Sequence, residues 1–206
     1  MRISGSAVLF TGATGGLGQA IARALSERGG KLILTGRRAD VLESLAAELR
    51  ARALAVDLSE PAEIDRLVAE AGEVDILIAN AGLPAAGRLE TFTREQVDRT
   101  LDVNLCAPVV LAHALLPGML ERGRRHLLFI SSIAGKTTVP GAPLYHATKY
   151  GLRGFAAALR ADLHKSGVGA SCIFPGFIRD AGIFADSGAK LPLGVGTRTP
   201  ETSPGA

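Results

Sequence analysis

Two cysteines in 206 residues, Cys106 and Cys172, are too few for a disulfide framework. Nothing pairs them at metal-ligand spacing, and no metal is expected. Both lie in apolar runs, which predicts buried, inert thiols in a reducing compartment. Long apolar runs are missing too. The first one, residues 7–10, is too short for the core of a secretory signal. The longest, residues 105–120, is interrupted by Pro108, His113 and Pro117 and falls short of the roughly 20 residues of a membrane span. Charge of one sign is scarce as well: 23 Lys and Arg face 20 Asp and Glu, for a net +3. Only Arg122, Arg124 and Arg125 crowd together, and a solvated turn accounts for three arginines. No basic face marks a nucleic-acid partner. A cytoplasmic protein without membrane or nucleic-acid partners is expected.

Glycine, by contrast, is abundant. Its 25 residues make up about 12% of the chain, against roughly 7% on average. Without a Gly-X-Y period, that surplus points to tight turns and close backbone approaches. Apolar residues at 47% and a mean hydropathy of +0.25 exclude disorder as the main state. The length suits one domain.

Apolar strand-like runs alternate with stretches of helical period along the chain. Strands are predicted over 7–11, 31–36, 53–57, 74–79, 126–131 and 170–174. Helices are predicted over 17–28, 39–50, 62–71, 93–120 and 144–165. Pro61 suits the first turn of the third helix, and prolines inside 93–120 predict a bend there. Strands apolar on both faces belong to a parallel sheet covered on each side. Six such units predict an α/β fold: a single Rossmann-type, doubly wound sheet of about six strands. Residues 1–187 form this domain, and 188–206 read as an irregular Gly/Pro/Thr-rich tail.

Thr11-Gly-Ala-Thr-Gly-Gly-Leu-Gly18 stands between the first strand and the first helix, the context that gives a glycine pattern meaning. Gly12 allows a tight turn, Gly16 lets backbone approach a pyrophosphate, and Gly18 packs helix against sheet. The helix N-terminus adds free N–H donors for phosphate. An acid ending the second strand would favour NAD and repel a 2′-phosphate. Thr35-Gly36-Arg37-Arg38 stands there instead. Gly36 leaves room and Arg37 offers a planar guanidinium, so NADP(H) is favoured over NAD(H).

The glycine spacing T-G-x-x-x-G-x-G resembles that of the short-chain dehydrogenase/reductase family. Further marks follow in order: Asp57, Asn80-Ala-Gly82, Asn104, Ser132, Tyr145-His-Ala-Thr-Lys149 and Pro175-Gly176. The resemblance covers about residues 5–185. It implies a cofactor site of Gly12, Thr14, Gly15, Gly16, Leu17 and Gly18, with Arg37 and Arg38. Asp57 and Leu58 would lie at the adenine, with Asn80, Ala81, Gly82, Pro175, Gly176 and Ile178 along the dinucleotide. It also implies a catalytic set of Asn104, Ser132, Tyr145 and Lys149, with Asn104 helping to hold a water that links the lysine to solvent.

Tyr145 and Lys149 are four residues apart and share a helix face. A nearby ammonium, together with a positive nicotinamide, would draw the phenol below its ordinary value near 10 and fit it for proton transfer. Lys149 would also orient the nicotinamide ribose. Ser132 would hold the substrate oxygen. Ser131 is its neighbour, and strand alternation lets only one of the two face the site; family spacing favours Ser132. His146 points about 100° away from Tyr145, and His113 reads as a core or interface residue.

Substrate contacts are expected from the apolar loops 83–86, 133–136, 139–144 and 177–184, which suit a hydrophobic carbonyl or secondary alcohol. Asp180 stands where the family often carries a threonine. The two long helices offer a homodimer face. The family adds a further helix and a seventh strand; nothing after Gly188 reads as either, so an exposed edge is expected at 170–174. The expected activity is hydride transfer between NADP(H) and a carbonyl or alcohol through Tyr145. An enzyme of another reaction class on this fold, or a non-catalytic nucleotide-binding protein, is the alternative.

Overall fold

The alternation of apolar residues along the first strand decides which side of a sheet each one covers. Val8 and Phe10 point to one face and Leu9 to the other, and all three are fully buried. The same division holds for Ile76 and Ile78 against Leu77. Neither face can be left to water, and helices cover both. The structure, a computed structural model, describes residues 2–123 and 125–176.

Six strands form one sheet: β1 (Ala7–Thr11), β2 (Lys31–Gly36), β3 (Arg52–Ala55), β4 (Ile76–Ala79), β5 (His126–Ile130) and β6 (Gly169–Ile173). Their order is β3-β2-β1-β4-β5-β6 and every pairing is parallel. This is the α/β, Rossmann-like sheet expected from the alternation. One face carries α1 (Gly16–Glu27) and α2 (Ala39–Leu49), through Ala22, Leu25, Leu42 and Leu45. The other carries α3 (Pro61–Ala71), α5 (Ala107–Arg122) and α6 (Pro143–Asp162), through Leu67, Leu111, Met119 and Leu152. The chain changes faces between β1 and β4, which opens a crevice at the carboxyl ends of those strands. Among the described residues β6 is an outer strand, paired only with β5. The tail at 188–206, the loop 177–184, Ile178 and Asp180 lie outside the described residues.

The single helix expected over 93–120 is instead three pieces. After α4 (Arg94–Leu101), residues Asp102–Cys106 form a π-helical turn in which the Ala107 amide donates to the Asp102 carbonyl, and α5 follows. Pro108 gives the physical reason, because without an amide hydrogen it cannot continue the α-helical ladder. The same irregularity bears on Cys106, which is exposed rather than buried as its apolar surroundings suggested. His113 also faces outwards. The stretch Arg94–Arg122 is long and apolar enough to cross a membrane by length and composition, with mean hydropathy 1.7 over its most apolar window of 18 residues. In this fold its apolar side lies against the sheet, and 44% of that window is buried.

Phe129 on β5 is fully buried and meets Phe155 of α6 edge to face, with ring centroids 5.4 Å apart. Truncation there opens a cavity where the central sheet meets the helix bearing Tyr145. Phe129→Ala should lower unfolding free energy by about 3–5 kcal/mol in urea denaturation, as for other buried aromatics.

Candidate active and cofactor site

Two close approaches shape the crevice from the β1 side. Gly12 has φ +72°, and a Cβ there would stand 2.7 Å from the Ala81 Cα. A Cβ on Gly18 would fall 2.1 Å from the Gly12 carbonyl oxygen. Only glycine allows the turn at the first position and the helix contact at the second. Helix α1 then starts at Gly16 with no side-chain cap and no acid in its first turn, so its leading amides are open to an anion.

Thr11 joins this loop to the end of β4. Its hydroxyl accepts from the amides of Asn80 and Ala81 at 3.0 and 3.1 Å. The Asn80 side-chain amide donates to the carbonyls of Thr11 and Gly12 at 3.1 and 3.2 Å. At the end of β2, Gly36 packs so tightly on Thr14 that a Cβ would lie 2.7 Å from its methyl carbon. Arg37 is exposed and makes no side-chain hydrogen bond or ion pair among the described residues. Arg38, also exposed, turns its guanidinium back to donate to the Thr14 carbonyl. Leu58 is buried in the core, so only its backbone can face the crevice.

Asp57 is engaged on both oxygens. Ser59 donates its amide and hydroxyl to Oδ1 at 3.0 and 2.8 Å, and Arg99 of α4 donates to Oδ2 at 2.6 Å. Burial pushes this carboxyl up, but the Ser59 amide, Arg99 and the Ser59 hydroxyl outweigh it. They hold it at about 2, against an ordinary 3.8. An adenine amino group would meet Asp57 already fixed by an arginine.

On the β5 side, Ser131 and Ser132 part company as alternation requires. Ser131 is buried and donates its hydroxyl to the Lys149 carbonyl at 3.0 Å. Ser132 faces the crevice and caps a short 3-10 turn, Ile133–Gly135, by accepting from the Ala134 amide at 3.2 Å. The Lys149 ammonium, 2% exposed, donates to the Ile130 carbonyl at 3.1 Å and lies 5.6 Å from the centre of the Tyr145 ring. Asn104 is wholly buried in the π-helical turn, where its Oδ1 accepts from the Leu83 amide at 2.6 Å. Its Nδ2 donates to the Leu83 carbonyl at 3.0 Å, and Thr148 stands 3.5 Å away. The Asn104 side chain thus fixes the loop after β4. Its backbone carbonyl is the one that amide 108 would pair in an α-helix, and residue 108 is proline. Tyr145, Lys149, Ser132 and Asn104 therefore converge at the carboxyl ends of β4 and β5.

Burial alters both titrating groups. It raises the Tyr145 phenol above its ordinary value, with Ser132 acting in the opposite direction by hydrogen bonding. It lowers Lys149 from 10.5 to about 8, opposed by the nearby Cys172. Among the chain's own groups the phenol is therefore driven up, not down as the lysine's proximity suggested. Desolvation of the phenolate is the larger effect.

A sequence profile described as short chain dehydrogenase matches residues 6–191. The chain belongs to the short-chain dehydrogenase/reductase family. Among curated members it is 36% identical over 191 residues to "Dehydrogenase/reductase SDR family protein 7-like" of Drosophila melanogaster, covering 86% of this chain and 59% of that one. It is 39% identical over 180 residues to "NADP-dependent 3-hydroxy acid dehydrogenase YdfG" of Salmonella typhi, covering 83% and 72%. A solved short-chain dehydrogenase from Sphingobium yanoikuyae, in complex with NADPH, superposes with a TM-score of 0.88 at 30% identity, covering 95% and 80%. The chain spans 57–59% of the length of several of its curated relatives.

A dinucleotide of the kind this family uses fits the residues present. The open α1 amides face the loop where a Cβ at Gly12 or Gly18 has no room. Sequence reasoning passed over three residues that build the site: Thr11, which joins the loop to β4; Arg99, which fixes Asp57; and Thr148, which is fully buried and donates to the Tyr145 carbonyl at 2.8 Å. Thr11 opened the glycine motif and Thr148 stood as a spacer between Tyr145 and Lys149, neither with a role assigned, and for Arg99 the sequence held no signal. Among the described residues no three His, Cys, Asp or Glu side chains cluster as for a metal.

A lysine with a folded pKa of about 8 against 10.5 unfolded binds fewer protons in the folded state across that interval. The cost of burying its charge is complete below about pH 8 and is relieved as pH rises. Relative to Lys149→Met, the unmodified protein should therefore gain about 2 kcal/mol of unfolding free energy between about pH 7 and about pH 9.5. Urea unfolding at the two pH values measures this, and parallel pH dependences would remove the assignment.

Proposed function

We propose that this protein is an NADP(H)-dependent oxidoreductase that moves a hydride between nicotinamide and a carbonyl or secondary alcohol, with Tyr145 as the general acid and base. The observation that carries the reading is the buried ammonium of Lys149 beside Tyr145, with the Ser132 hydroxyl at the same strand end. When bound, the nicotinamide supplies the hydride chemistry. The chain's residues supply the proton and the geometry. Ser132 holds the substrate oxygen, and the Tyr145 Oη gives it a proton in reduction or removes one in oxidation. Burial keeps the phenol protonated, which suits the reductive direction. Lys149 orients the nicotinamide ribose, and Asn104 holds the loop that borders it.

Arg37 supports NADP(H): it stands unengaged at the end of β2, where no carboxylate would repel a 2′-phosphate. Arg38 would add a second cation from its position on Thr14. The exposed Ile133 and Val139 at the crevice mouth suit a hydrophobic substrate. Val110, Leu120 and Tyr150, outward on α5 and α6, suit pairing of two copies. A cytoplasmic location accords with two unpaired thiols. Residues 1–187 are read as the domain and 188–206 as its tail.

Tyr145→Phe should lower kcat/KM for carbonyl reduction by about a thousandfold, as for loss of a general acid, while NADPH affinity stays within about threefold. Steady-state kinetics and NADPH fluorescence titration measure the two. Turnover unaffected by the substitution would remove Tyr145 from the chemistry, and NADPH binding with no turnover across a carbonyl panel would leave a nucleotide-binding protein. Arg37→Asp should move the ratio of NADPH to NADH efficiencies at least about tenfold towards NADH, the effect of one lost charge-assisted contact. An unchanged ratio would place specificity elsewhere.

A further inference from the structure

His146 lies in the first turn of α6, next to Tyr145, and is only 7% exposed. Its two ring nitrogens meet partners of opposite kind. The Val139 amide, which can only donate, points at Nε2 at 3.1 Å. The Ala134 carbonyl, which can only accept, stands 2.8 Å from Nδ1. One neutral tautomer satisfies both, with the proton on Nδ1 and a lone pair on Nε2.

Those partners lie five residues apart in the segment that runs from Ser132 to Tyr145. Ala134 is fixed twice, its amide held by the Ser132 hydroxyl and its carbonyl by His146. Val139 and Ile133, the exposed apolar residues at the crevice mouth, flank these contacts. Beyond Val139 the Gly141 carbonyl accepts from the Gly87 amide at 2.6 Å, which couples this segment to the loop after β4. Residues 136–140 are exposed and carry no regular structure of their own beyond a turn. Their placement therefore depends on a few hydrogen bonds, and a single imidazole makes one of them, to Val139, while its other nitrogen ties it to Ala134.

We infer that His146 is a positioning residue for substrate. It bridges Ala134 and Val139, holds residues 133–140 as one wall of the crevice and keeps Ser132 in register with Tyr145, without touching the reacting atoms. This rests on the reading of Tyr145 and Ser132 as the reacting pair. The expected consequence is a substrate-binding defect when the bridge is removed, with cofactor binding unchanged, because both hydrogen-bond partners of the His146 ring lie in the segment before α6 and neither in the glycine loop nor at the end of β2.

The test uses the full chain with His146→Phe, which keeps the ring volume but has neither donor nor acceptor, and His146→Gln, whose amide offers one of each. In His146→Phe, hydrogen exchange of a peptide covering 134–142 should quicken by about tenfold or more, while peptides from β1 and α1 keep their protection. KM for the best carbonyl of a reduction panel should rise by about tenfold, with kcat changed less than about threefold and NADPH affinity within about twofold. His146→Gln should recover most of the exchange protection and of KM. Unchanged exchange in His146→Phe, a defect falling on NADPH affinity, or His146→Gln behaving as His146→Phe would each overturn the bridge. If His146→Phe does not fold, His146→Ala replaces it and is judged by the same outcomes. Absence of any carbonyl turnover in the unmodified protein counts against the Tyr145 reading, and the exchange measurement then decides the bridge by itself.

Discussion

Helix α6 is locked to the end of β5 by two bonds that cross each other. The Ser131 hydroxyl donates to the backbone carbonyl of Lys149, and the Lys149 ammonium donates to the carbonyl of Ile130. Gly135 closes against the same helix position, where a Cβ would lie 2.7 Å from the Lys149 carbonyl oxygen. A buried ammonium costs stability unless it is hydrogen-bonded, so it cannot be displaced from its strand partner without penalty. Everything else on this side of the crevice takes its position from that lock: Tyr145 one turn earlier, Thr148 below it, and Asn104 reaching across to Leu83.

The opposite side is held by shape instead of charge. Gly12, Gly18 and Gly36 are contact points between backbone and neighbours, not hinges, and they bring β1, α1 and β2 closer than any other residue would allow. Thr11 and Asn80 then carry that geometry across to β4. The two sides meet where β1 and β4 part, so a dinucleotide bound there would be held by walls fixed by different physics.

Much of this was legible beforehand. Apolar runs at regular intervals specified the parallel sheet, because each strand had to be covered on both faces. The glycine loop and the Tyr145–Lys149 spacing located the crevice. The two-residue period of a strand allowed only one of Ser131 and Ser132 to face the site, and the family's spacing chose Ser132. What stayed hidden depended on contacts between distant segments or on a local break in regularity. The π-helical turn left only Pro108 as a trace, and the exposure of Cys106 goes with that turn rather than with composition. His146 looked irrelevant because it points away from Tyr145. That direction is what brings it to Ala134 and Val139. The rise of the Tyr145 phenol was likewise out of reach, since burial is a property of the folded crevice and not of residue spacing.

The extra residue in the π-helical turn sets the rotational phase between α4 and α5. An α-helix advances about 100° per residue, so an inserted position turns everything before it relative to everything after. With it, α5 lays Leu111, Leu115 and Met119 on the sheet while α4 still directs Arg99 to Asp57, and Asn104 sits at the junction. A chain one residue shorter between Val103 and Pro108 would rotate α5 against α4 and lose either the arginine at the adenine end or the core contacts of α5. The length of this stretch is therefore as tightly constrained as the Asn104 it carries.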